Sequence, residues 1–389
     1  MMRYTLSDNT WDNKEFEALN EVIASGFFSM GEKVKAFELD FAKKFNSKYA
    51  VMSNSGSSAN LLAIAALVYS KKLNAGDEVL VPAVSWSTTY FPLSQHNLKL
   101  KFIDIDAKTL NIDVTQVEAA ITPNTKAIFA VNLLGNPNDF DTLNNICKKH
   151  NLILLEDNCE SMGAFYKGKA AGTIGEMGTY STFYSHHLCT MEGGMTVTDN
   201  EELYHYMLSI RAHGWTRNLP KDSKIYKKKE DAFYESFNFI MPGYNLRPIE
   251  MEGALGIEQL KKLDGIIDQR RENAKYFKSQ INGLEGYRFQ QETEDSSWFG
   301  FAIILEGKNK GKRSQLVKLL DQNNIDARPV VAGNFVRNKA VEYLDYSVHN
   351  SLENADYIHD EAFFVGNHSK DNKEHVDRLI SCLKSFSNA

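Results

Sequence analysis

The chain has 389 residues and a net charge of −6, and 43% of its residues are hydrophobic and 24% charged, as in an ordinary globular protein with a sizeable core. The nearest approach to a basic run, "KIYKKKED" at residues 224–231, is followed at once by acidic residues, so no nucleic-acid partner is expected. The N-terminus lacks an apolar signal core, and the longest apolar stretch, "LLAIAALVY" at residues 61–69, is about half a membrane span. We therefore expect a cytoplasmic protein with no membrane partner.

The cysteines point to the same compartment. Cys147, Cys159, Cys189 and Cys382 show no CxxC or paired spacing, which favours reduced thiols over a disulfide framework. An iron–sulfur cluster needs about four closely grouped cysteine ligands, so we expect no such cluster.

Two helical segments are predicted first, followed by short apolar runs that alternate with helical stretches. The predicted strands are "YAVMS" (49–53), "EVLVP" (78–82), "LKFIDID" (100–106), "KAIFAVN" (126–132) and "LILLED" (152–157). Apolar strands joined by crossover helices indicate a mostly parallel sheet covered on both faces. Ligands on such sheets bind beyond the carboxyl ends of the strands.

The pattern changes after residue 211. Residues 213–248 form a long, aromatic, irregular segment, which is typical of a functional loop that docks against something. A helical run from about residue 249 to 280 follows, and then a strand in "SSWFGFAIIL" and a helix in "KRSQLVKLLDQNN". We predict a large α/β domain over residues 1–248, and linking helices with a smaller C-terminal α/β domain over residues 249–389.

Three motifs fall at strand ends. Gly56, Ser57 and Ser58 in "NSGSSANLL" lie between a strand and a helix, where free backbone N–H groups favour an anion, although a simple helix cap explains them equally well. Asp157 ends a very hydrophobic strand, where its carboxylate needs a cationic or hydrogen-bonding partner such as a pyridinium nitrogen. A capping or loop aspartate is the commoner explanation for one such residue alone.

The third motif is Trp86 in "VPAVSWSTTY", just past another strand end. Its indole offers a surface on which a flat ring can stack, although ordinary core packing is the commoner role of a single tryptophan. Together the three motifs supply a phosphate cradle, a carboxylate for a ring nitrogen and a stacking surface at one sheet edge. This combination predicts a pyridoxal-phosphate site.

The chain resembles the fold-type I, aspartate-aminotransferase-like enzymes of the DegT/DnrJ/EryC1/StrS type, which act on nucleotide-linked keto sugars. The resemblance runs through "NSGSSAN", "LLEDNCES", "STFYSHHLCTMEGG" and "PGYNLRP" and covers nearly the whole chain. It implies that Gly56, Ser57 and Ser181 hold the cofactor phosphate. It also implies that Trp86 stacks on the cofactor ring and that Asp157 pairs with the ring nitrogen.

The resemblance further implies a homodimer whose active sites are built at the subunit interface. Asn245 would then reach the phosphate in the neighbouring subunit. Glu160 stands where many of these enzymes have glutamine or histidine near the ring hydroxyl, so its role is open.

The sequence departs from this family's pattern at one decisive position. The aminotransferases carry a lysine six residues before the glutamate of the EGG motif, and counting back from Glu192 gives His186. Histidine has no primary amine and cannot hold an aldehyde cofactor covalently. Its unperturbed pKa near ~6.5 still suits proton transfer at neutral pH. The expected cofactor is therefore pyridoxamine 5′-phosphate, alternating with pyridoxal 5′-phosphate.

This replacement, with "RAHGW", "DSSWFGF" and "FVGNH", resembles a small dehydratase branch of the family. That branch removes the C3 hydroxyl from GDP-linked 4-keto-6-deoxymannose and uses L-glutamate to regenerate the amine cofactor. His186 is the expected base, and protonated His186 is a candidate acid for the leaving hydroxyl. His213 is the second candidate for substrate contact, although a loop hydrogen bond explains it about as well.

Two rival interpretations and a metal site fit the sequence less well. A sugar aminotransferase needs a lysine near the ring, and residues 177–196 contain none. A non-catalytic cofactor-binding homologue fits the loss of lysine but not the retained phosphate, nitrogen and stacking residues. The pair His186–His187 suggests a metal site only weakly, because neighbours on an extended chain point in opposite directions and no further ligand spacing is present.

Overall fold

The computed structural model describes residues 2–388. Its helices are, in chain order, α1 (Asn13–Ser25), α2 (Glu32–Lys44), α3 (Gly56–Tyr69), α4 (Ser87–Gln95), α5 (Val114–Ala120), α6 (Phe140–His150), α7 (Glu201–Ile210), α8 (Ala232–Glu235), α9 (Glu250–Gln280), α10 (Arg313–Gln322), α11 (Glu353–Glu361) and α12 (Lys373–Ser387). Its strands are β1 (Tyr49–Ser53), β2 (Glu78–Pro82), β3 (Lys99–Ile103), β4 (Thr125–Val131), β5 (Ile153–Asp157), β6 (Phe165–Tyr166), β7 (Lys169–Ala170), β8 (Met177–Ser181), β9 (Gly194–Thr198), β10 (Tyr287–Phe289), β11 (Gly300–Leu305), β12 (Tyr346–Val348) and β13 (Ala362–Gly366).

A large sheet of eight strands organises the first part of the chain, in the order β1-β9-β8-β5-β4-β2-β3-β12. The pairs from β8 through β12 are parallel, and β9 runs antiparallel to both β1 and β8. All five strands predicted from the sequence lie in this sheet, and the predicted mostly parallel α/β fold is confirmed. Strands β8, β9 and β12 were not predicted.

The sheet is buried on both faces, as the apolar runs indicate. Along β4, Phe129 and Val131 join the core that contains helix α3, whereas Ile128 and Ala130 join the core that contains helix α6. This alternation follows from the two-residue period of a strand. Because both faces of the sheet are covered, polar side chains that bind a ligand are expected at the ends of the strands.

A smaller antiparallel sheet, in the order β10-β11-β13, follows the long helix α9. Its core includes residues of α10 and α12 and also Tyr4, from the start of the chain. In the other direction, β12 lies at the edge of the large sheet. The predicted domain boundary at residue 248 remains a prediction. Tyr4 lies before this boundary but packs in the C-terminal core, and β12 lies after it but pairs with the large sheet.

The long segment between α7 and α9 is irregular apart from the four residues of α8. The ring of Trp215 packs against Phe237 and Phe239, and Arg247 lies over the same ring. Phe237 and Phe239 are nevertheless more than half exposed. Within residues 2–388, no helix is both long enough and apolar enough to cross a membrane.

Candidate active site

A cavity of about 610 Å³ lies at the carboxyl ends of the parallel strands of the large sheet. Residues after β1, β2, β4, β5 and β8 line it, and Phe299, Arg328 and Phe364 close it from the C-terminal part of the chain. Seven of the nine site residues predicted from the sequence line this cavity: Gly56, Ser57, Trp86, Asp157, Glu160, Ser181 and His186.

The N-terminus of α3 forms one wall of the cavity. Ser55 caps the helix by accepting a hydrogen bond of 3.0 Å from the backbone N–H of Ser58. The backbone N–H groups of Gly56 and Ser57 precede the first intrahelical hydrogen bond and have no partner within the helix. With the hydroxyl of Ser57, which donates to Thr88 at 3.1 Å, they form an anion-binding surface at the positive end of the helix dipole.

Gly56 is closely packed at this wall. A Cβ atom at this position would lie 2.7 Å from Cβ of Ser181 and 3.1 Å from Sγ of Cys159. Only glycine therefore lets the helix terminus approach Ser181 this closely. The Ser181 hydroxyl, which accepts from the backbone N–H of Phe183 at 3.2 Å, is held beside the free N–H groups.

Asp157 lies on the cavity floor at the end of β5 and is buried. Its Oδ2 atom accepts hydrogen bonds from Asn60 at 2.9 Å and from Thr89 at 2.7 Å, and its Oδ1 atom accepts a longer one of 3.2 Å from the N–H of Cys159. Thr179 in turn donates to Oδ1 of Asn60 at 2.5 Å. A carboxylate bound in this way keeps its orientation and offers Oδ1 to a cationic donor.

Trp86 immediately precedes α4, and 57% of its side chain is exposed. A large aromatic side chain left open at a cavity wall is available for stacking. The alternative of ordinary core packing is therefore wrong for Trp86.

Glu160 follows β5, is half-buried and lines the same cavity. The backbone N–H of Leu134 donates to its Oε2 atom at 3.0 Å. Burial, together with the charge of Asp157, raises the pKa of Glu160 to about 7. Its carboxyl group therefore changes charge near neutral pH.

His186 lies in the turn after β8, and its ring lines the cavity. Its Nδ1 atom is buried and has no hydrogen-bond partner among residues 2–388. The ring packs against Phe299 and Phe183, with centroids 5.2 Å and 5.9 Å away. Burial, with a contribution from the charge of Arg270, lowers the pKa of His186 to about 4, so the imidazole is neutral at pH 7.

His187 is not among the residues that line the cavity and is fully buried, with Nε2 3.3 Å from the carbonyl oxygen of Ser297. Burial lowers its pKa well below the usual value. No cluster of three or more His, Cys, Asp or Glu side chains suited to a metal occurs in the part of the chain that the structure describes.

His213 and Asn245 do not line the cavity of the single chain. They lie close together on the long loop, where the N–H of His213 donates to the carbonyl oxygen of Tyr244 at 2.7 Å. The ring of His213 packs edge-on against Trp215, and the side chain of Asn245 is exposed and accepts from Arg247 at 3.1 Å. Their functional roles remain predictions.

Several residues at this site were missed from the sequence. Asn60 and Thr89 hold Asp157, and both lie within the first turns of helices that start at the predicted strand-end motifs. That placement is a signal that sequence reasoning can use. Phe299 and Arg328 come from distant parts of the chain, and no local pattern indicates their place at the cavity.

The sequence profile of the DegT/DnrJ/EryC1/StrS aminotransferase family matches residues 9–384. The chain belongs to this family. A GDP-4-keto-6-deoxy-D-mannose 3-dehydratase of Escherichia coli O55:H7 is 55% identical over 388 residues, which span 99% of this chain and 100% of the relative.

Two solved structures support the same relationship. An E. coli GDP-4-keto-6-deoxy-D-mannose-3-dehydratase with bound hydrated PLP is 54% identical and superposes with a TM-score of 0.97, covering 99% of this chain and 100% of that chain. A GDP-4-keto-6-deoxymannose-3-dehydratase with a trapped PLP–glutamate geminal diamine is also 54% identical, with a TM-score of 0.96 and coverage of 98% and 100%. The fold-type I architecture of this family member is thus confirmed.

Proposed function

We propose that this chain is a dehydratase that removes the C3 hydroxyl group of GDP-4-keto-6-deoxy-D-mannose, giving GDP-4-keto-3,6-dideoxy-D-mannose. The observation that carries the proposal is His186, a neutral imidazole at the cavity position where aminotransferases of this family place their lysine. The full-length relative with 55% identity is a dehydratase of this kind. The function follows from combining this histidine with an otherwise complete cofactor site.

The residues fit pyridoxamine or pyridoxal 5′-phosphate. The cradle at Gly56, which a Cβ would fill, and the free N–H groups of α3 suit the phosphate, with hydroxyls from Ser57 and Ser181. The buried carboxylate of Asp157 suits a protonated ring nitrogen, and Trp86 offers a stacking surface. When bound, the cofactor supplies an amine for the C4 ketone of the sugar and a ring that accepts electrons.

His186 carries the proton transfers in this proposal. Its neutral imidazole removes a proton from the C4′ carbon of the cofactor, and the imidazolium then protonates the C3 hydroxyl oxygen as it leaves. The unpartnered Nδ1 atom and the aromatic neighbours leave the ring in a water-poor setting, where an imidazolium gives up its proton readily. Glu160 faces the same cavity and holds or releases a proton near neutral pH.

Water hydrolyses the C4 carbon–nitrogen bond of the deoxygenated sugar, so the nitrogen supplied by the cofactor leaves as ammonia and the cofactor is left as the aldehyde. L-Glutamate then restores the amine form of the cofactor and leaves as 2-oxoglutarate. A structural relative holds glutamate joined to PLP, which supports this assignment. Asp157 and the α3 N-terminus hold the cofactor through both half-reactions, because no covalent bond to the chain is available at His186.

The active protein in this proposal is a homodimer. Asn245 contacts the cofactor phosphate of the neighbouring subunit, and His213 contacts the sugar. Three observations support this: both residues lie outside the cavity of their own chain, Asn245 is exposed, and Phe237 and Phe239 leave more than half of their surface open on the same loop.

The rival activity, amino transfer to the sugar, lacks its nucleophile. No lysine is among the residues that line the cavity in the described part of the chain. A non-catalytic homologue is also disfavoured, because a neutral imidazole able to accept a proton occupies the reactive position.

A single-turnover experiment tests the proposal. The protein is loaded with pyridoxamine 5′-phosphate, freed of excess cofactor and mixed with GDP-4-keto-6-deoxymannose without glutamate. We expect one deoxygenated sugar per site, loss of the amine form of the cofactor and then arrest, with added glutamate restarting turnover. An amino sugar as product, or binding without turnover, contradicts the proposal.

A further inference from the structure

Arg270 is a buried cation that forms no ion pair with a carboxylate among residues 2–388. It lies in the long helix α9, only 2% of its surface is exposed, and its Nε atom has no hydrogen-bond partner within the same described residues. Among residues 2–388, the carboxylate whose charge reaches it is Asp8, which makes no ion pair with it and accepts hydrogen bonds from Ser369. Burying an unpaired charge costs free energy, which suggests that Arg270 has a function at this position.

The guanidinium of Arg270 makes one hydrogen bond that leads to the active site. It donates at 3.1 Å to the carbonyl oxygen of Phe299, whose N–H donates at 3.0 Å to the carbonyl oxygen of Leu134. The N–H of Leu134 donates in turn to Glu160. The backbone of Phe299 is therefore fixed on one side by α9 and on the other by the loop that holds Glu160.

The ring of Phe299 is the contact that reaches His186. It lies 5.2 Å from the His186 ring and 5.7 Å from that of His187. Catalytic imidazoles are commonly oriented by a hydrogen bond to Nδ1, and here Nδ1 of His186 has no partner among the described residues. The orientation of His186 thus depends on its aromatic neighbours, and Phe299 is the closer one.

We propose that Arg270 is a positioning residue for the dehydration: its buried, unpaired guanidinium anchors Phe299 against His186 and keeps positive charge beside the imidazole. The role of Arg270 in dehydration rests on the proposed function. The contacts among Arg270, Phe299 and His186 do not depend on that function.

The positive charge of Arg270 lowers the pKa of the neighbouring histidines. After burial itself, Arg270 is the group that lowers the pKa of His186, and it lowers that of His187 as well. The other charged or titratable groups that share the cavity or adjoin His186 are Asp157, Cys159, Glu160, Glu192, Arg328 and His187. A neutral imidazole is ready to take a proton, and the nearby cation makes the resulting imidazolium a stronger acid toward the leaving hydroxyl.

Three variants separate anchoring from charge. Arg270→Lys keeps a positive charge and a donor close to the Phe299 carbonyl, whereas Arg270→Gln and Arg270→Met remove the charge and leave no donor that reaches this carbonyl. Arg271→Met is the matched control, because Arg271 is the next residue of α9 and donates to the carbonyl oxygens of Ser296 and Gly163 rather than to Phe299.

The readout is the titration of His186 by NMR in histidine-labelled protein without cofactor, with its signal identified by its loss in His186→Asn. We expect the midpoint to rise by about one pH unit or more in Arg270→Gln and Arg270→Met and to stay low in Arg271→Met. In the loaded enzyme, kcat should fall further in Arg270→Gln and Arg270→Met than in Arg270→Lys, with KM for the sugar little changed.

An unchanged midpoint in Arg270→Gln overturns the inference, and this variant retains a polar side chain if Arg270→Met does not fold. The proposed function is tested separately. If wild-type protein fails to dehydrate the sugar while the His186 midpoint still shifts, the activity is misassigned but the electrostatic link stands. If dehydration occurs and the midpoint does not move, only the role of Arg270 is wrong.

Discussion

The side-chain amide of Asn60 donates a hydrogen bond of 2.9 Å to Oδ2 of Asp157, and both side chains are buried. Asn60 thus links the helix that we propose binds the phosphate to the carboxylate that we propose binds the ring nitrogen. A single residue of α3 therefore connects the two ends of the proposed cofactor site.

We predict that Asn60→Ala weakens binding of pyridoxamine 5′-phosphate by about tenfold to a hundredfold, since hydrogen bonds to charged groups contribute about 1.5–3 kcal/mol. Fluorescence titration of the unloaded protein measures the affinity. Asn309→Ala is the control, because Asn309 is equally buried but bonds to Gly286 and Ser387 in the C-terminal part. Equal affinities in the two variants would refute the role of Asn60.

Gly56→Ala should weaken cofactor binding more than it weakens the fold. The added Cβ meets Cβ of Ser181 at 2.7 Å, so the serine hydroxyl has to move away from the proposed phosphate site. Gly265→Ala is the matched control, because no atom lies within 4 Å of its added Cβ and alanine favours the helix. Thermal melting with and without cofactor measures both effects. The prediction is wrong if the cofactor stabilises both variants by the same amount.

His186→Lys should convert the site from non-covalent to covalent cofactor binding. The introduced amine can condense with pyridoxal 5′-phosphate, and borohydride then traps the product as a mass increase on the peptide that contains residue 186. We expect dehydration to be lost in this variant. Dehydration at the wild-type rate would show that His186 is not the base.

Glu160→Gln should remove a pH dependence near neutrality. Burial raises the pKa of Glu160 to about 7, so in the folded protein it holds a proton that the unfolded chain loses at its lower, ordinary pKa. Its contribution to stability is present at acidic pH and disappears as the pH rises through about 7. Urea unfolding of unloaded protein at pH 5 and pH 8 should show a smaller loss in Glu160→Gln than in wild type. Equal losses would contradict the prediction.

The parallel part of the sheet and the ends of its strands were predictable because the signals are local. Runs such as "LILLED" carry both the buried strand and the polar residue that follows it, so Asp157 was placed correctly. The antiparallel strand β9 and the edge strand β12 were not predictable, since their pairing joins residues far apart in sequence.

The site residues likewise divide into those that local motifs predict and those that depend on contacts distant in sequence. Gly56, Trp86 and His186 were found from motifs, whereas the support for His186 comes from Phe299 and Arg270, which lie more than eighty residues away along the chain. Their contribution depends on how α9 and the C-terminal part pack against the large sheet. No local sequence pattern predicts that packing.

The most direct test of the account is the mass of the sugar product. GDP-4-keto-6-deoxymannose is incubated with the protein, pyridoxamine 5′-phosphate and L-glutamate, and the nucleotide sugar and keto acid are analysed by mass spectrometry. The account predicts a product lighter by one oxygen atom, with 2-oxoglutarate formed alongside. A product whose carbonyl has become an amine would make the protein an aminotransferase and would contradict the role assigned to His186.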